Sequence, residues 1–179
     1  MQIPKLIDSL SGARELLGWE LVRHTPEGDI GGIIIETEAY HQDDEASHSF
    51  RGETKRTAPM FKSAGHLYVY FTYGMHWCLN IVTGPAGSGQ GVLLRSLYPT
   101  RGIDLMAKNR RTNVFKRLTP GPATITQALA VPPSYSGQFI TDTSLELIPP
   151  QKAVANIKTS PRIGISKAVN KPWRFFIEM

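Results

Sequence analysis

Ile33-Ile34-Ile35-Glu36-Thr37-Glu38-Ala39-Tyr40 runs three β-branched residues straight into a pair of carboxylates. The first half has the composition of a buried strand and the second half does not, so the segment reads as a strand leaving the core at the edge of a site. A period of two puts Ile34, Glu36, Glu38 and Tyr40 on one face, and Ile33, Ile35, Thr37 and Ala39 on the other. Burying two acids without partners is costly. Two readings are open at this point: a strand end hydrated by solvent, or a catalytic carboxylate.

The flanking sequence turns this strand into half of a hairpin. Trp19 to Thr25 has strand character, Pro26-Glu27-Gly28-Asp29 is a turn, and Ile30 to Tyr40 is the antiparallel partner, with Glu38 at its far end. Before it, Leu6, Leu10, Ala13 and Leu17 recur at helical spacing up to Gly18, with Ser11-Gly12 expected to weaken or break the helix. A second hairpin is signalled more strongly. Leu67, Val69 and Phe71 alternate with Tyr68, Tyr70 and Thr72, and Trp77, Leu79 and Ile81 alternate with His76, Cys78 and Asn80. Gly74 supplies the positive φ of a tight turn. Tyr73 and Met75 therefore flank a hairpin tip, where large apolar groups need either a neighbour in the same domain or an external one.

Gly84 to Gly91 is a flexible turn into a strand from Val92 to Leu97, whose one charge, Arg95, requires a carboxylate, a phosphate or solvent. Gly102 to Arg111 has a helical pattern, and Pro120-Gly121-Pro122 opens a second helix through Leu129. Ser144 to Ile148, Arg162 to Ile165 and Trp173 to Ile177 read as short closing strands. The expected fold is α/β of the α+β type. It is a single domain over residues 1–179, with a curved, mostly antiparallel sheet, flanking helices and a protruding β-hairpin. No dinucleotide or P-loop fingerprint occurs.

The 179 residues carry a net charge of +5, which suits a polyanionic partner without identifying one. A lone cysteine, Cys78, excludes an internal disulfide and fits a reducing compartment. The N-terminus opens on mixed polarity rather than a signal-peptide core, and no apolar run reaches membrane-spanning length. The expectation is a cytoplasmic protein without membrane contact. His41, Asp43, Asp44 and His48 are good ligand types in a short window, but no His pair has helical spacing and no Cys joins them, so metal binding is the weaker reading. Glu36 and Glu38, about 6.6 Å apart along a strand, also fall in the carboxylate range of inverting sugar hydrolases. Arg51 to Lys62 is a basic loop, solvated or phosphate-contacting.

Glu36-Thr37-Glu38-Ala39-Tyr40, Ala46-Ser47-His48, Leu67-Tyr68-Val69-Tyr70 with Tyr73-Gly74-Met75 and Asn80, Val92-Leu93-Leu94-Arg95, Gly121-Pro122 with Gln127-Ala128-Leu129, and Pro161-Arg162-Ile163-Gly164-Ile165 stand in this order. Together they resemble the alkyladenine (3-methyladenine) DNA glycosylase family. The resemblance runs from Ala13-Arg14-Glu15-Leu16-Leu17-Gly18 to Pro172-Trp173-Arg174-Phe175. It implies a single domain around a curved antiparallel sheet that hydrolyses the N-glycosidic bond of alkylated or deaminated purines. The enzyme it implies is monofunctional and monomeric, works on double-stranded DNA in base-excision repair, and needs no cofactor. By the same resemblance Glu38 activates water and Arg95 is its polar partner. Tyr40, His48, Tyr70 and Asn80 form the base pocket, with Asn80 policing the purine's minor-groove edge. Tyr73 and Met75 form the DNA wedge. Two positions depart from the family pattern: Thr57 stands after Arg56 where Asn is expected, and Thr124 where a basic residue is common, which removes a phosphate contact.

Overall fold

In the computed structural model, which describes residues 3–72 and 74–179, the chain forms an α+β domain whose antiparallel sheet is curled into a half-barrel. The elements in order are α1 (Ser9–Glu15), β1 (Glu20–Arg23), β2 (Ile30–Tyr40), β3 (Leu67–Thr72), β4 (His76–Thr83), β5 (Gln90–Arg101), α2 (Ile103–Arg110), α3 (Pro122–Ala128), β6 (Leu145–Ile148), β7 (Lys158–Ser160) and β8 (Arg174–Phe176). The sheet order is β3-β4-β5-β2-β1-β6, with β8 beside the second half of β2 and β7 beyond β8. β2 is the axis of this arrangement. β5 pairs it along almost its full length, while its other edge is shared by β1, over Ile30–Ile33, and β8, over Glu36–Glu38.

The β2–β5 ladder slips register at three places, and each slip bends the sheet. One slip lies at Gly31/Gly32, where the strands approach closely: a Cβ on Gly32 would sit 2.6 Å from the Tyr98 carbonyl oxygen. Gly32→Ala is therefore expected to destabilise the fold by about 1–3 kcal/mol, the usual cost of overpacking. A thermal unfolding midpoint equal to the parent's would show that the backbone yields there instead.

The helices cover the core side of the sheet. α1 is capped by the Asp8 carboxylate, which accepts from the Leu10 and Ser11 amides at 2.8 Å each. Ser11-Gly12, expected to break this helix, lies inside it. The bare Gly12 lets α1 settle close to β4, since a Cβ there would meet the Thr83 methyl at 3.0 Å. Ala13, Leu16 and Leu17 pack with Leu67, Val69, Leu79, Ile81, Leu94 and, from α3, Ile125 and Ala128. The Thr37 hydroxyl donates to the Ala13 carbonyl, so this face of β2 is bound to α1 and the opposite face is left for the two acids.

A second expectation is corrected at the C-terminal end. Arg162 to Ile165 is not a strand, and the ladder beside β8 is made by β7 instead. Pro161 has no amide to donate, the Ile163 amide donates to a carboxylate, and the Arg162 side chain is drawn into the interior.

Candidate active site

β2 delivers Glu36 and Glu38 to one face, where they meet different surroundings. Glu38 is 0% exposed, which overturns the hydrated-strand-end reading for this residue. Its backbone is flanked by Leu93 on β5 and Arg174 on β8. Its side chain accepts two hydrogen bonds and faces one cation. The Tyr40 hydroxyl lies 2.8 Å from Oε2, the Ile163 amide 2.8 Å from Oε1, and Arg95 Nη1 3.4 Å from Oε1. Glu36 Oε1 instead accepts from two guanidinium groups, Arg95 Nε at 3.0 Å and Arg174 Nε at 2.6 Å. With Glu36 committed to two cations, the pair does not offer the two free carboxyl groups of a sugar hydrolase.

Arg95 owes its reach to a bulge. Glu36 is paired with Ser96 and the adjacent Thr37 with Leu94, so Arg95 is the extra residue on β5 and its side chain is re-aimed at both acids. Of the carboxylate, phosphate or solvent that the sequence left open for this charge, it has two carboxylates.

Against Tyr40 and Arg95, the two side chains in contact with Glu38, opens a cleft of about 430 Å³, lined also by His48, Tyr68, Tyr70 and Asn80, with Ile163 to Lys167 forming one rim. The volume falls within the roughly 300–1,000 Å³ of small-molecule sites. Tyr68 and Tyr70 stack at 5.2 Å and 25°, and His48 stands edge-on to Tyr70 at 4.6 Å. His48 Nδ1 lies 3.1 Å from the Tyr68 hydroxyl. Burial, reinforced by the Arg56 charge, lowers the His48 pKa and favours the neutral imidazole. Burial, aided by the Glu38 charge, raises the Tyr40 phenol well above its ordinary value, which keeps it a donor to Glu38. Asn80, almost wholly buried, pairs across the hairpin with Tyr68 and donates to that residue's carbonyl at 3.1 Å. One edge of its amide is thereby fixed.

The structure thus brings Arg95, Tyr40, His48, Tyr70 and Asn80 into the lining of one cleft, and Glu38 lies behind that lining, in contact with Tyr40 and Arg95. Met75 is outside it: it is 70% exposed at the hairpin end and lines a shallower groove beside Trp77 and α3. Phe71, next to the tip, is 45% exposed, and Gly74 has φ +68° with open space around it. Met75 is therefore left largely uncovered by its own domain. Tyr73 lies outside the described residues.

His41, Asp43, Asp44 and His48 do not converge on one point. His41 lies 3.2 Å from Asp43, Asp44 pairs with Arg162, and His48 meets Tyr68. Among the described residues no group of three or more His, Cys, Asp or Glu is arranged to hold a metal. The two departures from the family pattern have local roles. Thr57 exchanges bonds with Thr54 and locks the basic loop, and Thr124 Oγ1 accepts from the Gly121 amide at the start of α3. In that loop Arg51, Lys55 and Arg56 are exposed, and Arg56 lies 5.7 Å over the Tyr70 ring at the cleft mouth.

Sequence reasoning gave Tyr68, Arg162 and the Ile163 amide no role in the site and offered Asp44 only as a metal ligand. Tyr68 alternates with Tyr70 on the same strand face and was findable from that period. A backbone amide carries no residue-type signal, and the Asp44–Arg162 pairing spans 118 positions.

Comparison with known proteins gives the chain a family. The family model for methylpurine-DNA glycosylase matches residues 6–179. A relative from Agrobacterium fabrum, provisionally named a 3-methyladenine DNA glycosylase, is 48% identical over 171 residues, covering 96% of this chain and 84% of its own. Relatives with the same provisional name from Nitrosospira multiformis and Methanoculleus marisnigri are 46% and 43% identical, covering 93% and 96% of this chain and 84% and 91% of their own. The chain belongs to the methylpurine-DNA glycosylase family, hydrolases of N-glycosyl bonds.

Proposed function

We propose that this protein excises alkylated or deaminated purines of the 3-methyladenine class from double-stranded DNA by flipping the base into the aromatic cleft. The observation that carries the reading is Glu38: a wholly buried carboxylate, bonded by the Tyr40 hydroxyl and the Ile163 amide and paired with Arg95, directly behind a cleft lined by tyrosines. A base inside a duplex is out of reach, so extrusion comes first and costs a few kcal/mol. The exposed apolar end of the β3–β4 hairpin, with Met75, suits insertion into the duplex, and the resemblance assigns Tyr73 the vacated stack. Tyr40, His48 and Tyr70 then offer ring faces and edges to the base, each stacking contact being worth about 1–3 kcal/mol. Glu38 accepts the proton of the attacking water and faces the positive charge that develops on the sugar. A cationic N-alkylated base leaves without a second acid, whereas hypoxanthine needs protonation as it departs.

Exposed Arg51, Lys55 and Arg56 beside the cleft suit phosphate contacts, so affinity should fall steeply with salt. We place the enzyme inside the cell, on DNA, as a monomer. No helix among the described residues is long and apolar enough to cross a membrane, and Cys78 is a buried free thiol.

Asn80 is the proposed discriminator against guanine. With one edge bound to Tyr68, its remaining polar edge leaves the exocyclic amine of guanine either clashing or unpaired. Asn80→Ser is expected to raise release of normal guanine relative to adenine lesions, measured as free bases by chromatography. An unchanged ratio removes Asn80 from that role.

The function itself is tested by incubating the protein with duplexes that each carry one lesion: 3-methyladenine, 7-methylguanine, hypoxanthine or etheno-adenine. Alkali then converts each abasic site to a strand break. Breaks at a lesion that depend on the protein support the reading. Tight binding to every lesion duplex with no break at any of them would make the protein a damaged-DNA-binding module.

A further inference from the structure

Arg162 takes no part in the chemistry above, yet its side chain and that of Asp44 are both completely buried. Its Nη1 donates to the Asp44 carboxylate and, at 2.9 Å, to the Ala39 carbonyl. Its guanidinium lies over two rings, 4.6 Å from the centroid of Tyr40 and 5.1 Å from that of Trp173. Its Nε and Nη2 find no acceptor. Burial alone would push the Asp44 carboxyl up, but the bond and charge of Arg162, the Ala46 amide and Lys171 at 3.5 Å outweigh it and lower the pKa.

Such a pair is poorly explained by stability. Apolar side chains of similar volume frequently match or exceed a buried ion pair, and buried donors without acceptors call for a reason. The reason is visible in what the pair joins. It ties the end of β2 (Ala39, Tyr40), the segment carrying Asp44, the rim that begins at Ile163, and Trp173 ahead of β8. Both hydrogen-bond donors on Glu38 belong to these pieces. The Tyr40 ring lies under the guanidinium, and the Ile163 amide belongs to the next residue in the chain.

We propose that the Arg162–Asp44 pair is a positioning device that holds the Tyr40 hydroxyl and the Ile163 amide against Glu38. The role rests on the reading that Glu38 performs the hydrolysis. Losing the pair frees the rim and the Tyr40 ring, so the carboxylate keeps its charge but not its aim. Small misplacements of a catalytic group, caused from outside the reacting atoms, cost about 100-fold in rate.

The test uses the full chain with Arg162→Met, Arg162→Lys and Asp44→Asn. Release of methylpurines from dimethyl-sulfate-treated DNA is followed in single turnover with enzyme in excess. Binding is measured on a duplex holding a tetrahydrofuran abasic-site analogue. Arg162→Met and Asp44→Asn are expected to slow release by about 100-fold, with binding close to the parent's. Arg162→Lys, which keeps the charge but loses the planar stack, should fall between. In a Glu38→Gln background Arg162→Met should add little further loss, because it acts through Glu38. Release at the parent's rate overturns the proposal. So does a loss in binding equal to the loss in rate, or a loss that multiplies with that of Glu38→Gln. Where Arg162→Met does not fold, the isosteric Asp44→Asn decides by the same readouts. A parent that releases no methylpurine overturns the glycosylase reading itself, whereas an active parent with equally active variants overturns only the positioning role.

Discussion

Glu38→Gln is expected to lower base release by at least about 100-fold, the usual loss on removing a general base, while binding to a lesion duplex is retained or tightened. Gln has the shape of Glu and still accepts from the Ile163 amide, so the cleft in front of it should keep its geometry. It cannot take the proton of water, and it offers no negative charge to an oxocarbenium-like sugar. The control is Glu36→Gln. Glu36 lies between Arg95 and Arg174 and reaches the cleft through Arg95, so its variant should keep substantially more activity. Single-turnover release and equilibrium binding, measured on the same lesion duplex, separate chemistry from recognition. An active Glu38→Gln beside an inactive Glu36→Gln would exchange the two roles. If the parent and both variants bind equally and none releases a base, the binding module is the right description.

The contrast between these two acids shows where the sequence stops being informative. That Glu36, Glu38 and Tyr40 share a face followed from strand periodicity alone, and the β3–β4 hairpin followed from alternation around Gly74. Which acid is buried did not follow. It depends on β8 joining the second half of β2, and on the Ile163 amide arriving from 125 residues away. Local pattern cannot encode contacts of that range. The same limit accounts for Arg162 to Ile165. A short apolar strip reads as a strand until its arginine is seen paired to Asp44 and its amide committed to Glu38. The Ser11-Gly12 break failed for a related reason. Helix propensity penalises glycine, but close packing of α1 on β4 requires it. Arg95 went the other way: the sequence called for a carboxylate, a phosphate or solvent beside it, and the choice of two carboxylates, with the bulge that lets it serve both, needed the structure.

That bulge makes Arg95 the second large lever. Arg95→Ala is expected to slow base release by about 100-fold, comparable to losing one preorganised donor at a reacting centre. The substitution removes the only guanidinium among the described residues that touches both carboxylates. Glu36 keeps Arg174 as a partner, but Glu38 is left with the Tyr40 hydroxyl and the Ile163 amide alone. Two like charges on one strand face then lack the cation between them, and removing one partner of a buried pair also costs about 3–5 kcal/mol of stability. The two effects are separable. Guanidinium added at low millimolar concentration can re-enter the space left by the side chain and restore charge between Glu36 and Glu38, but not the covalent tether. Partial recovery of single-turnover release by guanidinium, absent for Glu38→Gln, is the expected signature of an electrostatic role. A variant that is cooperatively folded, as slow as expected and indifferent to guanidinium would reduce Arg95 to a brace between β5 and β2. A variant as fast as the parent would remove it from the site altogether.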